Sequence, residues 1–99
     1  MILTTTDFIE GFKIIDYKGI VSGIGVNAQK VTMTLNMDKY YNGIRESISE
    51  IKEQAFQELS ENAKKLNANA VVGIHVDIEL SSSSYISVSV TGTAVSIAV

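Results

Sequence analysis

ANAVVGIHVDIELSSSSYISVSVTGTAVSIAV, residues 68–99, is the stretch that decides the fold. Two runs of alternating, largely β-branched residues, 71–80 and 85–99, flank the polar tetrad 81–84. That pattern predicts a β-hairpin with a four-residue loop. After Lys65 the only charges are Asp77 and Glu79, and the chain contains no proline. Strands this poor in charge aggregate through their edges unless something covers them. A helix on one face and a second copy of the chain are the expected covers.

Upstream of the hairpin lies its helix. Ile44, Ile48, Ile51, Ala55, Leu59, Ala63 and Leu66 recur every three or four residues, and Phe56 widens the stripe. Glu46, Glu50, Glu53, Gln57, Glu61 and Lys64 occupy the other side. Acids come early and Lys64 and Lys65 late, as the helix dipole favours. The helix is expected between residues 38 and 66, with Asn67 as a left-handed cap.

Further upstream, residues 2–6 read as a short edge strand and 7–12 as a connection. Residues 13–26, KIIDYKGIVSGIGV, read as a longer strand with apolar residues on both parities. That predicts burial of both faces, or face-switching bulges at Gly19, Gly23 and Gly25. Val31, Met33, Leu35 and Met37 alternate with polar residues and predict a further strand, with Asn42-Gly43 as a turn. In the tail, Val72, Ile74, Val76, Ile78 and Leu80 should share one face, and Val71, Gly73, His75, Asp77 and Glu79 the other. In the last run the apolar parity changes near Gly92-Thr93-Ala94, which predicts a bulge or bend there.

Composition narrows the function classes. With 99 residues the chain is a single domain, 1–99, and 45% hydrophobic against 19% charged residues marks it as globular. A net charge of −3 leaves no electrostatic footprint for nucleic acid or an anionic membrane, so neither is expected as a partner. The absence of cysteine excludes disulfides and thiolate metal sites. Residues 1–10 have no basic, then continuously apolar, signal pattern. Residues 81–99 are long enough to suggest a membrane span, but Ser and Thr recur through them at strand spacing. A cytoplasmic protein is the expectation.

NANAVVGIHVD at 67–77 and VSVTGTAV at 88–95 are less generic, and together they resemble the YbjQ-like family, small bacterial proteins that carry a heavy-metal-binding label. Thr4-Thr5-Thr6, Glu10-Gly11, Ile15, Tyr17, Gly19, Val21 and Gly23 follow that family's order, as do Ile44-Arg45 and Ala55-Phe56-x-x-Leu59. The family's G-G-R-S-x-x-Y stretch is missing: Arg45 runs through ESISEIKEQ straight into Ala55. The resemblance implies an α+β fold, an antiparallel sheet packed on one long helix as in dodecin-like subunits. It also implies a cyclic homo-oligomer, commonly a pentamer, and no established activity.

His75, Asp77 and Glu79 form the one constellation with metal-ligand chemistry. Alternation puts them on one strand face with neighbours roughly 6.8 Å apart, so one chain brings at most two of them to an ion. Imidazole with carboxylate suits zinc or nickel, whereas soft heavy metals want thiolate. A solvated polar face that keeps the sheet from aggregating is the commoner meaning of such a row. Tyr40, Tyr41 and Arg45 could stack a ring ligand, although such a pair more often covers a helix start. Gly23-x-Gly25-x-x-Ala28 fits a dinucleotide-binding pattern but is followed by alternation in place of a helix, which excludes it and leaves bulge or close-packing glycines as the expectation. A single histidine and no cysteine leave no nucleophilic triad. The sequence therefore points to a binding or interaction module, with weak divalent-cation binding within its chemistry, rather than to an enzyme; the alternative is an active site shared between subunits.

Overall fold

In the computed structural model, residues 1–28, 37–80 and 85–99 are described, with the side chains of 27, 28, 37–42 and 44 excepted. The elements are β1 (Ile2–Leu3), β2 (Lys13–Ala28), α1 (Met37–Lys65), β3 (Ala70–Leu80) and β4 (Tyr85–Ala98). The strands form one sheet in the order β1-β3-β4-β2. Both β2 and β3 pair with β4 antiparallel, so the long hairpin read from residues 68–99 is present. β1 runs parallel to β3, with Ile2 opposite Ala70 and Leu3 opposite Val71. The sheet is therefore mixed, which corrects the expected all-antiparallel one.

The helix covers one face of the sheet, called here the near face. Ile51, Ala55, Leu59 and Ala63 of α1 are buried against Val21, Val71, Ile74, Ile86, Val88, Val90 and Ala94. Complete burial of Ile51 and Leu59 contributes about 1.5–3 kcal/mol each. The helix lies so close to β2 that its backbone occupies the space of two absent side chains. A Cβ on Gly23 would stand 2.0 Å from the Ala55 carbonyl oxygen, and one on Gly25 2.1 Å from that of Ile51. Gly23 and Gly25 are thus close-packing residues, not bulges. The Asn62 side-chain amide also donates to the Ser22 carbonyl at 2.9 Å, tying helix to strand.

The bulges lie elsewhere. In β2 the register slips between Ile14 and Asp16 and between Tyr17 and Gly19, which explains the mixed parity of residues 13–19. In β3 it slips between Val72 and His75, with Gly73 at φ 62°. The parity break expected in β4 at Gly92 is thus an irregularity of the strand opposite. β4 itself keeps register with β2 through Gly92, Thr93 and Ala94. Gly92 is small because Val71 and Ile74 close over it: a Cβ there would meet Val71 Cγ1 at 2.6 Å and Ile74 Cγ1 at 3.0 Å. The slip also corrects the expected faces of β3. Val71 joins Ile74 in the near-face core, and Val72 joins Ala70, Val95 and Ile97 in a smaller far-face cluster closed by Ile9 and Ile14.

Asn67 has φ 61° and caps the helix as expected. The Asn67 and Ala68 amides donate to the carbonyls of Lys64 and Ala63 at 3.0 and 3.1 Å, the paired bonds of a Schellman motif. Asn42 and Gly43 lie within α1, which corrects the turn expected there. Met37 opens the helix, so it does not end a strand; the rest of that expected strand, like the hairpin loop 81–84, lies outside the described residues. Among the described residues no helix is long and apolar enough to cross a membrane.

The molecule is elongated, 55 × 22 × 16 Å, with a radius of gyration of 16.5 Å. About 13 Å is usual for a chain of this length.

Two glycines give opposite expectations. Gly25→Ala should destabilise by about 3 kcal/mol or more, because the neighbour that must yield is helix backbone. Gly43 sits in α1 with nothing near its absent Cβ, so Gly43→Ala should stabilise by up to about 1 kcal/mol. Chemical denaturation of the two variants checks both signs.

Candidate functional site

The face of the sheet turned away from α1 carries the chemistry-bearing residues. Reading across β3, β4 and β2, the pairings give successive rows: His75–Thr91–Ser22, Asp77–Ser89–Ile24 and Glu79–Ser87–Val26. Strand alternation sets His75, Asp77 and Glu79 in one column, as the sequence suggests, and all three are exposed. The fold adds a middle column of hydroxyls, so each ionisable side chain has a Ser or Thr directly across, with Cβ atoms about 5 Å apart. It also adds an outer column on β2 that is apolar apart from Ser22: Tyr17 is 68% and Ile20 80% exposed, and Ile24 and Val26 are exposed with them.

Chemically the column offers one imidazole and two carboxylates beside hydroxyl oxygens. Among the described residues no three His, Cys, Asp or Glu side chains gather closely enough to hold a metal ion. The second candidate group does not join the first. Tyr40 and Tyr41 lie in the first turns of α1. Arg45 is exposed on the same helix, lining a shallow depression with Glu46, Ser49, Glu50 and Glu53. Arg45 and His75 thus sit on different layers of one chain. A further carboxylate comes to the foot of β3 from far away in sequence: Asp7 Oδ1 lies 3.6 Å from where a Gly73 Cβ would stand. Nothing in the linear sequence signals that approach, because the bulge and the N-terminal segment create it.

The residues that carry the family resemblance are largely structural. Within NANA, Asn67 caps the helix and Asn69 starts the hairpin. The Asn69 side chain donates to the Ile97 carbonyl at 3.0 Å and accepts from the Ile97 amide at 2.7 Å, imitating a backbone residue. The Thr4–Thr6 run closes the bulge. Thr6 and Thr4 carbonyls accept from the Gly73 and Ile74 amides at 2.9 and 3.1 Å, while the Thr4 and Thr6 hydroxyls bond each other at 2.8 Å. The NANA and Thr4–Thr6 segments fix where the far-face column stands, and His75 and Asp77, at the end of the same 67–77 stretch, stand in it.

Comparison with known proteins agrees over the whole length. The family model described as "Putative heavy-metal-binding" (YbjQ-like) matches residues 1–98. A UPF0145 protein of Persephonella marina is 44% identical, covering 96% of this chain and 97% of its own. One from Clostridium kluyveri is 38% identical, with the same shares covered. A crystal structure of a protein of unknown function from Pediococcus pentosaceus, assigned to the DUF74 family, superposes with a TM-score of 0.74 at 20% identity. That match covers 99% of this chain and 98% of the other, and shows the shared fold.

Replacing Asn69 tests the structural role of the motif. Asn69→Ala leaves the Ile97 amide and carbonyl without their partner and should cost about 1–3 kcal/mol. A denaturation midpoint equal to that of the parent protein would show that Asn69 does not anchor the hairpin.

Proposed function

The chain belongs to the YbjQ-like family, and from that premise we propose that it is a self-assembling binding module of the cytoplasm, a cyclic homo-oligomer with no active site of its own. The observation that carries this reading is the bare far face. Large apolar side chains of β2 stand exposed in a column there, beside hydroxyls and acids, with no covering element among the described residues. Exposed apolar residues in a contiguous patch mark an interaction site. The elongated shape supports the same reading, since a flat two-layer plate gains burial by meeting copies of itself. Five subunits are favoured by the family resemblance alone. An active site shared between subunits is the weaker reading, because the chain holds one histidine and no cysteine, and His75, Asp77 and Glu79 are spread along one strand instead of converging on a hydroxyl.

Light scattering and sedimentation of the purified protein test assembly. A single species of several subunits is expected at micromolar concentration, and Ile20→Asp with Ile24→Asp should lower its mass. A stable monomer would sink the reading.

For metal, the proposal is weak binding of a divalent cation and no tight binding of soft heavy metals. One chain brings at most two donors of the column to an ion, no thiolate is present, and closed zinc sites use four protein ligands. Symmetry in a ring could gather copies of Asp77 or Glu79 and raise the donor count. Titration calorimetry with zinc and cadmium is expected to give dissociation constants above about 10 μM, a range in which binding energy is under about 7 kcal/mol. Submicromolar binding that disappears in His75→Ala with Asp77→Ala would make the column a true metal site.

A further inference from the structure

Among the described residues both margins of the upper sheet, β3 on one side and β2 on the other, have open edges, and the openings match in height and direction. The lower part of the β3 edge is occupied by the chain's own N-terminal segment. The Thr4 amide donates to the Val71 carbonyl at 3.0 Å, and Thr4 and Thr6 accept from Ile74 and Gly73. Above that level, from His75 to Leu80, β3 has no strand partner on its outer side among the described residues. On the opposite margin β2 likewise ends the sheet among the described residues. Its Ser22 carbonyl is bonded by Asn62, and the strand continues above it to Ala28. The common neighbour β4 gives the heights: His75 and Ser22 both face Thr91, and Leu80 and Asn27 both face Ile86. Each is antiparallel to β4, so β3 and β2 run the same way.

We propose that the open edge of β3, His75–Leu80, receives the upper outer edge of β2 from a second copy of this chain, strand parallel to strand. The proposal rests on the self-assembly reading and adds to it which surfaces meet. A rotation about an axis along the strands carries one margin onto the other at the same height and in the same direction. Such a contact joins two different surfaces and therefore closes a ring instead of a two-fold dimer. The near face agrees with this geometry. Ile78 is 46% and Leu80 65% exposed on the helix side of β3, where among the described residues no helix lies. The chain's own α1 lies across the sheet, pressed onto β2 at Gly23 and Gly25. A β2 edge arriving from a second copy brings its own helix with it, alongside Ile78 and Leu80. That helix is required, because six residues of strand edge alone fall well short of the roughly 800 Å² per partner of a stable interface. Short edge strands, charges and coverings are how natural sheets avoid open-ended pairing. Here the N-terminal segment limits the length of β3 that can be paired.

Engineered disulfides test the contact directly, since the chain has no cysteine to compete. Asp77 and Ile24 occupy one row of the far face, separated within a chain by β4. Two strand spacings of about 4.8 Å each put them beyond disulfide reach in the same molecule. The double variant Asp77→Cys with Ile24→Cys, and the pair one row up, Glu79→Cys with Val26→Cys, are oxidised mildly and run on a denaturing gel without reductant. A ladder of covalent multimers from at least one double variant, with each single variant remaining monomeric on the gel, is the expected result. Dimers from a single variant would mean that like edges meet, which overturns the proposal. An oligomeric parent protein whose double variants give no ladder overturns it too and leaves the self-assembly reading standing; a monomeric parent removes both. Hydrogen exchange on the unaltered oligomer provides a readout free of substitutions. Protected outward amides over residues 75–80 are expected, and exchange as fast as in free peptide would refute the pairing.

Discussion

The approach of α1 to β2 is the contact on which the rest of the structure depends. At Gly23 and Gly25 helix backbone and strand backbone meet with no side chain between them. Ala55 and Ala63 keep the helix surface low on its buried side. A helix held that close to one strand is fixed in position along it and cannot shift to the centre of the sheet. Its buried stripe therefore packs over Val21 of β2, Ile86 to Ala94 of β4, and Val71 and Ile74 of β3, leaving the upper end of β3 bare. The exposed Ile78 and Leu80 follow from that geometry and not from a sequence unable to cover them.

A second constraint comes from the β3 bulge. Gly73 in the left-handed region lets one extra residue enter β3 opposite Gly92, and the strand changes face there. Below the bulge, Val72 turns to the far face and builds a small core with Val95 and Ile97. Above it, the far face belongs to His75, Asp77 and Glu79. The N-terminal segment satisfies the amides that the bulge frees, and Ile9 closes the small core. One glycine conformation thus separates a dry end of the far face from a polar end.

The far face consequently holds three columns of different chemistry: ionisable, hydroxyl and largely apolar. A single chain does not make a closed site of them, because a flat sheet spreads its side chains apart instead of converging them. Under the proposed assembly, a ligand or cation held there with affinity would be enclosed by more than one copy. On the proposed reading, function is thereby tied to assembly, and the NANA and Thr4–Thr6 segments serve the scaffold that presents the columns.

The sequence by itself determined the elements whose signals are local. The 3.6-residue period of Ile51, Ala55, Leu59 and Ala63 located the helix, Asn67 its cap, and the alternation of residues 71–99 the hairpin that carries His75, Asp77 and Glu79. What only the tertiary structure decided are matters of contact between distant segments. Gly23 and Gly25 read as bulge or close-packing residues until the helix is laid upon them. Gly92 looks like the site of a parity break until the slip is found in its partner strand. The parallel pairing of residues 2–3 with β3 and the arrival of Asp7 beside Gly73 depend on where the chain returns in space. The pairing of the far-face columns belongs to the same class, since register is a relation between strands that no single strand encodes.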